Sequence, residues 1–166
     1  MKRLQVSPKK MLLIAAATIA IIYYICTRYI STSSLTEQNI SKLTDKWCEA
    51  VTINNDPQEI ANLFCKDGNL VGTVSQVKRT GNDIKSYFDY FAKLPKIQTI
   101  NRDYNITKVT NDVFINTAFI TWQWKGLQEP IVARMTFVYR NKCIFQLHSS
   151  ALPELNKDLL NISNVA

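Results

Sequence analysis

The sequence predicts an α+β domain behind an apolar N-terminal segment, on three observations. Apolar residues recur at helical spacing through the first half of the chain. The second half is dominated by long runs rich in β-branched and aromatic residues. Between Met11 and Cys26 lie sixteen residues without a charge. A chain of 166 residues with 46% hydrophobic content is enough for one packed domain and an appendage.

The N-terminal elements come first. Residues 1–10 form a basic tail, and residues 11–30 predict a transmembrane signal anchor. Sixteen helical residues span about 24 Å, and extension to Ile30 reaches about 30 Å if Arg28 snorkels to the interface. Tyr23, Tyr24 and Tyr29 fall where an aromatic belt belongs. Four basic residues precede the span, which predicts a single-pass protein with a cytosolic N-terminus and an extracytosolic domain. The alternative is secretion after signal cleavage, but no small-x-small cleavage site follows the apolar run. Residues 31–35 are a polar tether and residues 156–166 a loose tail, leaving 36–155 as the domain.

Leu43, Trp47, Ala50 and Val51 make the buried face of a first helix. Asn54-Asn55-Asp56-Pro57 stops it and caps the next, with Asp56 at Ncap and Pro57 at N1. Ile60, Leu63 and Phe64 face the core from that second helix, and Lys66–Asn69 turns into a strand at Leu70 to Ser75. Asn82 or Asp83 caps a third helix with a face of Ile84, Tyr87, Phe88 and Phe91, ended by Pro95. Strands follow at 97–109 and 113–125 around an Asn111-Asp112 turn, and Phe114, Ala118, Ile120, Trp122 and Trp124 share one face. Glu129 to Pro153 is a hairpin. A three-residue loop there sets Arg134 opposite His148, whereas a two-residue loop at Asn141-Lys142 sets it opposite Ser149.

Charge excludes one class of function. The net +7 is carried mainly by Lys2, Arg3, Lys9, Lys10 and Arg28; from Ser31 onward fifteen basic residues meet thirteen acidic ones. Nucleic acid is therefore not an expected partner. A single histidine and scattered cysteines provide no metal-ligand spacing, four glycines leave no phosphate loop, and no cofactor is expected. Arg134, a lone charge in mid-strand, joins His148, Arg79 and Ser150 as candidate pocket residues. A guanidinium on a strand suits a carboxylate-bearing small molecule. No carboxylate is placed to act as a catalytic base, so a non-catalytic role is favoured over an enzymatic one. If the domain faces an oxidising compartment, Cys48 and Cys65, on neighbouring helices, are the candidate disulfide pair; the alternative is free buried thiols. Asn39, Asn105 and Asn161 begin N-x-S/T glycosylation sites. The long strands carry more apolar surface than one helical layer covers, which predicts a homodimer through the sheet.

Three stretches carry a resemblance. Ala133–Tyr139 with Leu147–Pro153, Asp67–Ser75, and Arg79-Thr80-Gly81 followed by Ile84, Tyr87, Phe88 and Phe91 resemble the nuclear transport factor two-like superfamily. The nearest group holds SnoaL-like polyketide cyclase relatives and the calcium/calmodulin-dependent protein kinase II association domain. The resemblance spans Leu43 to Pro153. It implies a cone of three N-terminal helices on a curved, mostly antiparallel sheet, with a pocket between them. It also implies ligand binding and association, or alternatively a cyclase- or isomerase-type enzyme acting near Arg134 and His148. One position departs from the pattern: Leu147 stands where the group often has a second histidine.

Overall fold

A computed structural model describes residues 18–24, 35–73, 75 and 77–151. The chain divides into two compact units, Met1–Ser34 and Leu35–Ala166. In the first, residues 18–24 are helical with exposed side chains. The remainder of the expected 11–30 span, the basic tail, the tether up to Ser34 and the C-terminal tail lie outside the described residues. Among the described residues no helix is long and apolar enough to cross a membrane. Seven helical residues rise only about 10 Å. The expectation of a single-pass protein with an extracytosolic domain is corrected accordingly.

The second unit is α+β. Helix α1 (Glu37–Glu49) starts at a capping box, in which the Asn39 amide N–H donates to Thr36 Oγ1 at 3.2 Å and the Thr36 amide N–H to Asn39 Oδ1 at 3.1 Å. It runs on as a π-helical turn over Ala50–Asn54. Asn55 ends that turn in the left-handed region at φ 48°, its side chain donating to Val51 O and Ala92 O. Helix α2 (Pro57–Asn62) is capped as expected, Asp56 accepting from the amides of Gln58 and Glu59. It is shorter than expected, because Phe64 already begins a strand. Helix α3 (Asn82–Phe91) has Gly81 at its Ncap, not Asn82 or Asp83. At φ +54° the glycine turns the chain directly into the helix, so no side-chain cap forms.

Six strands form one sheet: β1 (Phe64–Val71), β2 (Lys78–Thr80), β3 (Gln98–Lys108), β4 (Val113–Gln123), β5 (Ile131–Arg140) and β6 (Cys143–Ala151). Their order is β2-β1-β6-β5-β4-β3, and only the β1–β6 pair is parallel. Alternation decides the faces. Phe114, Ala118, Ile120 and Trp122 of β4 and Ala133, Met135, Phe137 and Tyr139 of β5 are buried in one core cluster with Ile40, Trp47, Ile60 and Phe88 of the helices. The opposite face of the sheet has no helix layer in this cluster.

Strand β1 starts six residues earlier than expected and absorbs Lys66–Asn69 as a bulge. Phe64 faces Ile144 while Asn69 faces Gln146, so β1 spends three more residues than β6 over this stretch. Gly68 makes this feasible, since a Cβ there would lie 2.8 Å from Ile144 O and 2.9 Å from Cys65 O. A second bulge falls in the hairpin. The loop is the two-residue Asn141-Lys142, with Asn141 at φ 58°. Tyr139 faces Ile144 but Val138 faces Gln146, which leaves Phe145 unpaired. The slip brings Arg134 opposite Ser150, a register that neither loop length alone produces.

Candidate functional site

Where α3 leaves the sheet, the layers part around a narrow slot of about 10 Å³ and a cavity of about 80 Å³ that share Thr73, Phe91 and Trp122. Trp47, Tyr87 and Phe88 wall the slot from the helices, and Met135, Leu147 and Ser149 from the sheet. Trp124, Ile131 and Ala151 enclose the larger part. Gly72 closes one wall: a Cβ there would come within 2.4 Å of the Tyr87 ring, so only glycine lets that ring lie on the backbone. Thr73 Oγ1 and Ser149 Oγ are hydrogen-bonded to each other. The indole N–H groups of Trp47 and Trp122 are buried with no hydrogen-bond partner. Trp47 lines the slot, and Trp122 lines both the slot and the cavity. No Asp, Glu, His, Lys or Arg is among the described lining residues.

The candidates from the sequence lie elsewhere. Arg134 and His148 are exposed and Ser150 half-buried, on the face of the sheet that turns away from the cavity. They come together there, Arg134 opposite Ser150 and His148 opposite Thr136. Arg79 on β2 is half-buried, with its guanidinium 5.8 Å from the Tyr87 ring centroid and Nη2 3.5 Å from Ser75 Oγ. It stands behind the cavity wall. The residues that sequence reasoning missed sit one place along each strand, Met135 beside Arg134 and Ser149 beside His148. Ser149 had a signal: it is a polar residue in step with the apolar face, which burial to 5% exposure confirms. Asn39 is occupied in its capping box, Asn105 is exposed on β3, and Asn161 is outside the described residues.

The disulfide is Cys65–Cys143, not Cys48–Cys65. Pairing of β1 with β6 sets the two Cα atoms 5.0 Å apart. Cys48 instead points from α1 at the sheet, its thiol 3.9 Å from the Tyr104 hydroxyl, and is free and buried. Beside it Asp45 Oδ1 accepts from Arg102 Nη1 at 3.0 Å and from the Tyr104 hydroxyl at 2.9 Å, clamping α1 to β3. Deeper in the core Thr44 Oγ1 donates to Ile40 O and accepts from Asn116 Nδ2 at 2.9 Å, so the Tyr139 hydroxyl, also at 2.9 Å, is its second donor.

Burial pushes the Cys48 thiol up from 9.0 to about 11, and burial raises Tyr104 and Tyr139 as well. A raised folded pKa contributes stability that is complete below the unfolded value and is lost as pH rises through the folded one. For Cys48 the window is pH 9 to about 11, and the contribution is about 2–3 kcal/mol. Urea melts of wild type and Cys48→Ala at both ends of the window measure it. The stability gap between the two proteins should shrink by roughly that amount at the alkaline end; an unchanged gap would show that the thiolate costs nothing there.

No family model and no curated protein matches the chain. Solved structures do. A protein assigned as a calcium/calmodulin dependent protein kinase II association domain from Xanthomonas campestris is 29% identical over 70% of this chain and 87% of its own, with TM-score 0.61. An NTF2-like protein of unknown function from Pseudomonas putida aligns at TM-score 0.62 and 14% identity, over 73% and 89%. One assigned as a dehydratase of the NTF2-like family from Streptomyces avermitilis aligns at 0.60 and 16%, over 70% and 95%. The last two show the fold alone. Together with the helix-on-sheet architecture, they show that the domain has the fold of the nuclear transport factor two-like proteins.

Proposed function

We propose that the domain is a non-catalytic module that holds a small uncharged molecule between α3 and the sheet and associates with a second copy of itself. The observations that carry the first half are a lining without charge and the unpartnered indole N–H of Trp122, a residue shared by slot and cavity. They favour a carbonyl or ether oxygen over a carboxylate, whose charge would be desolvated with no cation on the wall. A cavity of about 80 Å³ limits the occupant to a short chain of a few heavy atoms, since benzene takes about 150 Å³. The likeness to a protein assigned as an association domain supports the second half. Enzymatic acid–base chemistry of the cyclase or isomerase kind would need a general base, and the described lining residues supply no carboxylate or imidazole.

The test is titration of the full chain with acetone and with the isosteric carboxylate acetate, read by tryptophan fluorescence. The ketone should perturb the emission saturably and the carboxylate should not. Ser149→Val, which removes one polar group from the slot, should weaken ketone binding by about tenfold. Saturable binding of the carboxylate alone, or of neither, overturns the reading.

A further inference from the structure

One wall of the slot is a seam between two strands. Leu70, near the end of β1, and Gly72 and Thr73, which follow the strand, form one side of it; Leu147 and Ser149 of β6 form the other. The seam is sparsely paired. β1 and β6 are in register at Phe64 and again from Asn69 to Val71, with the bulge between. By contrast, β4 and β5 are in register at ten consecutive positions. The other neighbour of β1 is β2, a strand of only three residues. Two fastenings hold the seam at its ends: the Cys65–Cys143 bridge where β1 enters the sheet, and the Thr73–Ser149 hydrogen bond beside the slot. The first is within reach of solvent. Cys65 is buried, but Cys143 is half-buried and adjoins the exposed turn residues Asn141 and Lys142.

We infer that the bridge is a redox latch on this wall. Oxidised, it keeps β1 against β6 and the wall of the slot closed. Reduced, it lets β1 part from β6 while β6, β5, β4 and β3 stay paired. The reductant is a dithiol. One of its thiolates attacks Cys143 Sγ and breaks the S–S bond, and Cys65 leaves as a thiolate that takes up a proton. The second thiolate of the reductant then displaces Cys143, which is protonated in turn. Two electrons and two protons have passed to the protein, and the reductant is left as a disulfide. The Arg140 carbonyl oxygen, 3.2 Å from Cys143 Sγ and 3.8 Å from Cys65 Sγ, is an acceptor in place for the new thiols. Without the covalent tie the bulged stretch has little regular pairing, so opening starts there and runs along β1 to Leu70, Gly72 and Thr73. The latch acts on the wall itself, whichever molecule the cavity holds.

Native-state hydrogen exchange in the full chain tests it, with oxidised protein compared against protein held in dithiothreitol. Oxidised, the paired amides of β1 should exchange within about tenfold of those of β4. Reduced, that gap should widen to on the order of a hundredfold, β1 being the faster, and reoxidation should close it again. Cys65→Ser/Cys143→Ser should show the open pattern with or without reductant. Cys48→Ala should respond as wild type does, since the thiol it removes is the free one. Equal acceleration of β1 and β4 would mean that the bridge sets overall stability and not the state of the wall, which overturns the latch. Exchange in β1 indifferent to reduction overturns it too, as does a bridge that dithiothreitol reduces only after urea has unfolded the chain.

Discussion

Removing the Cys65–Cys143 bridge is expected to cost about 4 kcal/mol of stability. The bond closes a loop with a sequence separation of 78, and a loop of that length loses roughly that much chain entropy in the unfolded state. Its position adds to the effect. The bridge holds the start of β1 to β6 beside a bulge, where regular ladder bonds are interrupted. The ion pair of Arg140 with Asp67, which draws the Asp67 carboxyl below its ordinary range, is the neighbouring brace; it is exposed and weak by comparison. The measurement is a urea melt of Cys65→Ser/Cys143→Ser against oxidised wild type. Reduced wild type should fall to the level of the double variant. Peptide mapping without reductant should find Cys65 joined to Cys143. A loss below about 1 kcal/mol would mean that strand pairing alone holds β1 in place.

Truncating Trp47 to alanine is expected to cost about 3–5 kcal/mol. The side chain is 1% exposed and is the joint between the layers. Its ring meets Phe88 of α3 at 6.0 Å, Trp122 of β4 at 6.0 Å and Phe137 of β5 at 5.3 Å, all edge to face. Alanine removes all three contacts together and opens a void that two layers held by other residues cannot close. Trp47→Phe keeps a ring at the joint and should cost less than about half as much. It also deletes one of the unpartnered indole donors, so some of the packing loss is offset by removing an unsatisfied group. Denaturant midpoints at constant m-value report both. Equal losses for the two variants would show that a phenyl ring recovers none of the packing at the joint.

Periodicity determined the elements of this protein. Leu43, Trp47, Ala50 and Val51 repeat as one helical face and Phe114, Ala118, Ile120 and Trp122 as one strand face, and those residues meet in a common core apart from the half-buried Leu43. Asp56-Pro57 capped its helix because a cap needs only local geometry. The local sequence also announced that the last two strands form a hairpin. It did not determine which way Arg134 faces relative to the helices, since a strand offers two faces and a single bulge at Phe145 resets the register. Nor did it determine the disulfide. Cys65 pairs with a residue 78 positions away because β1 enters the sheet parallel to β6, and a parallel pairing leaves no short-range trace. The cavity depends on the same long-range contacts. Trp47, Gly72, Tyr87, Trp122 and Ser149 come from five separate elements and segments, each reading locally as core or turn. Only the packing of helix on sheet brings two indole donors and two hydroxyls to one slot, while the alternation of the same strands turns Arg134 and His148 outward.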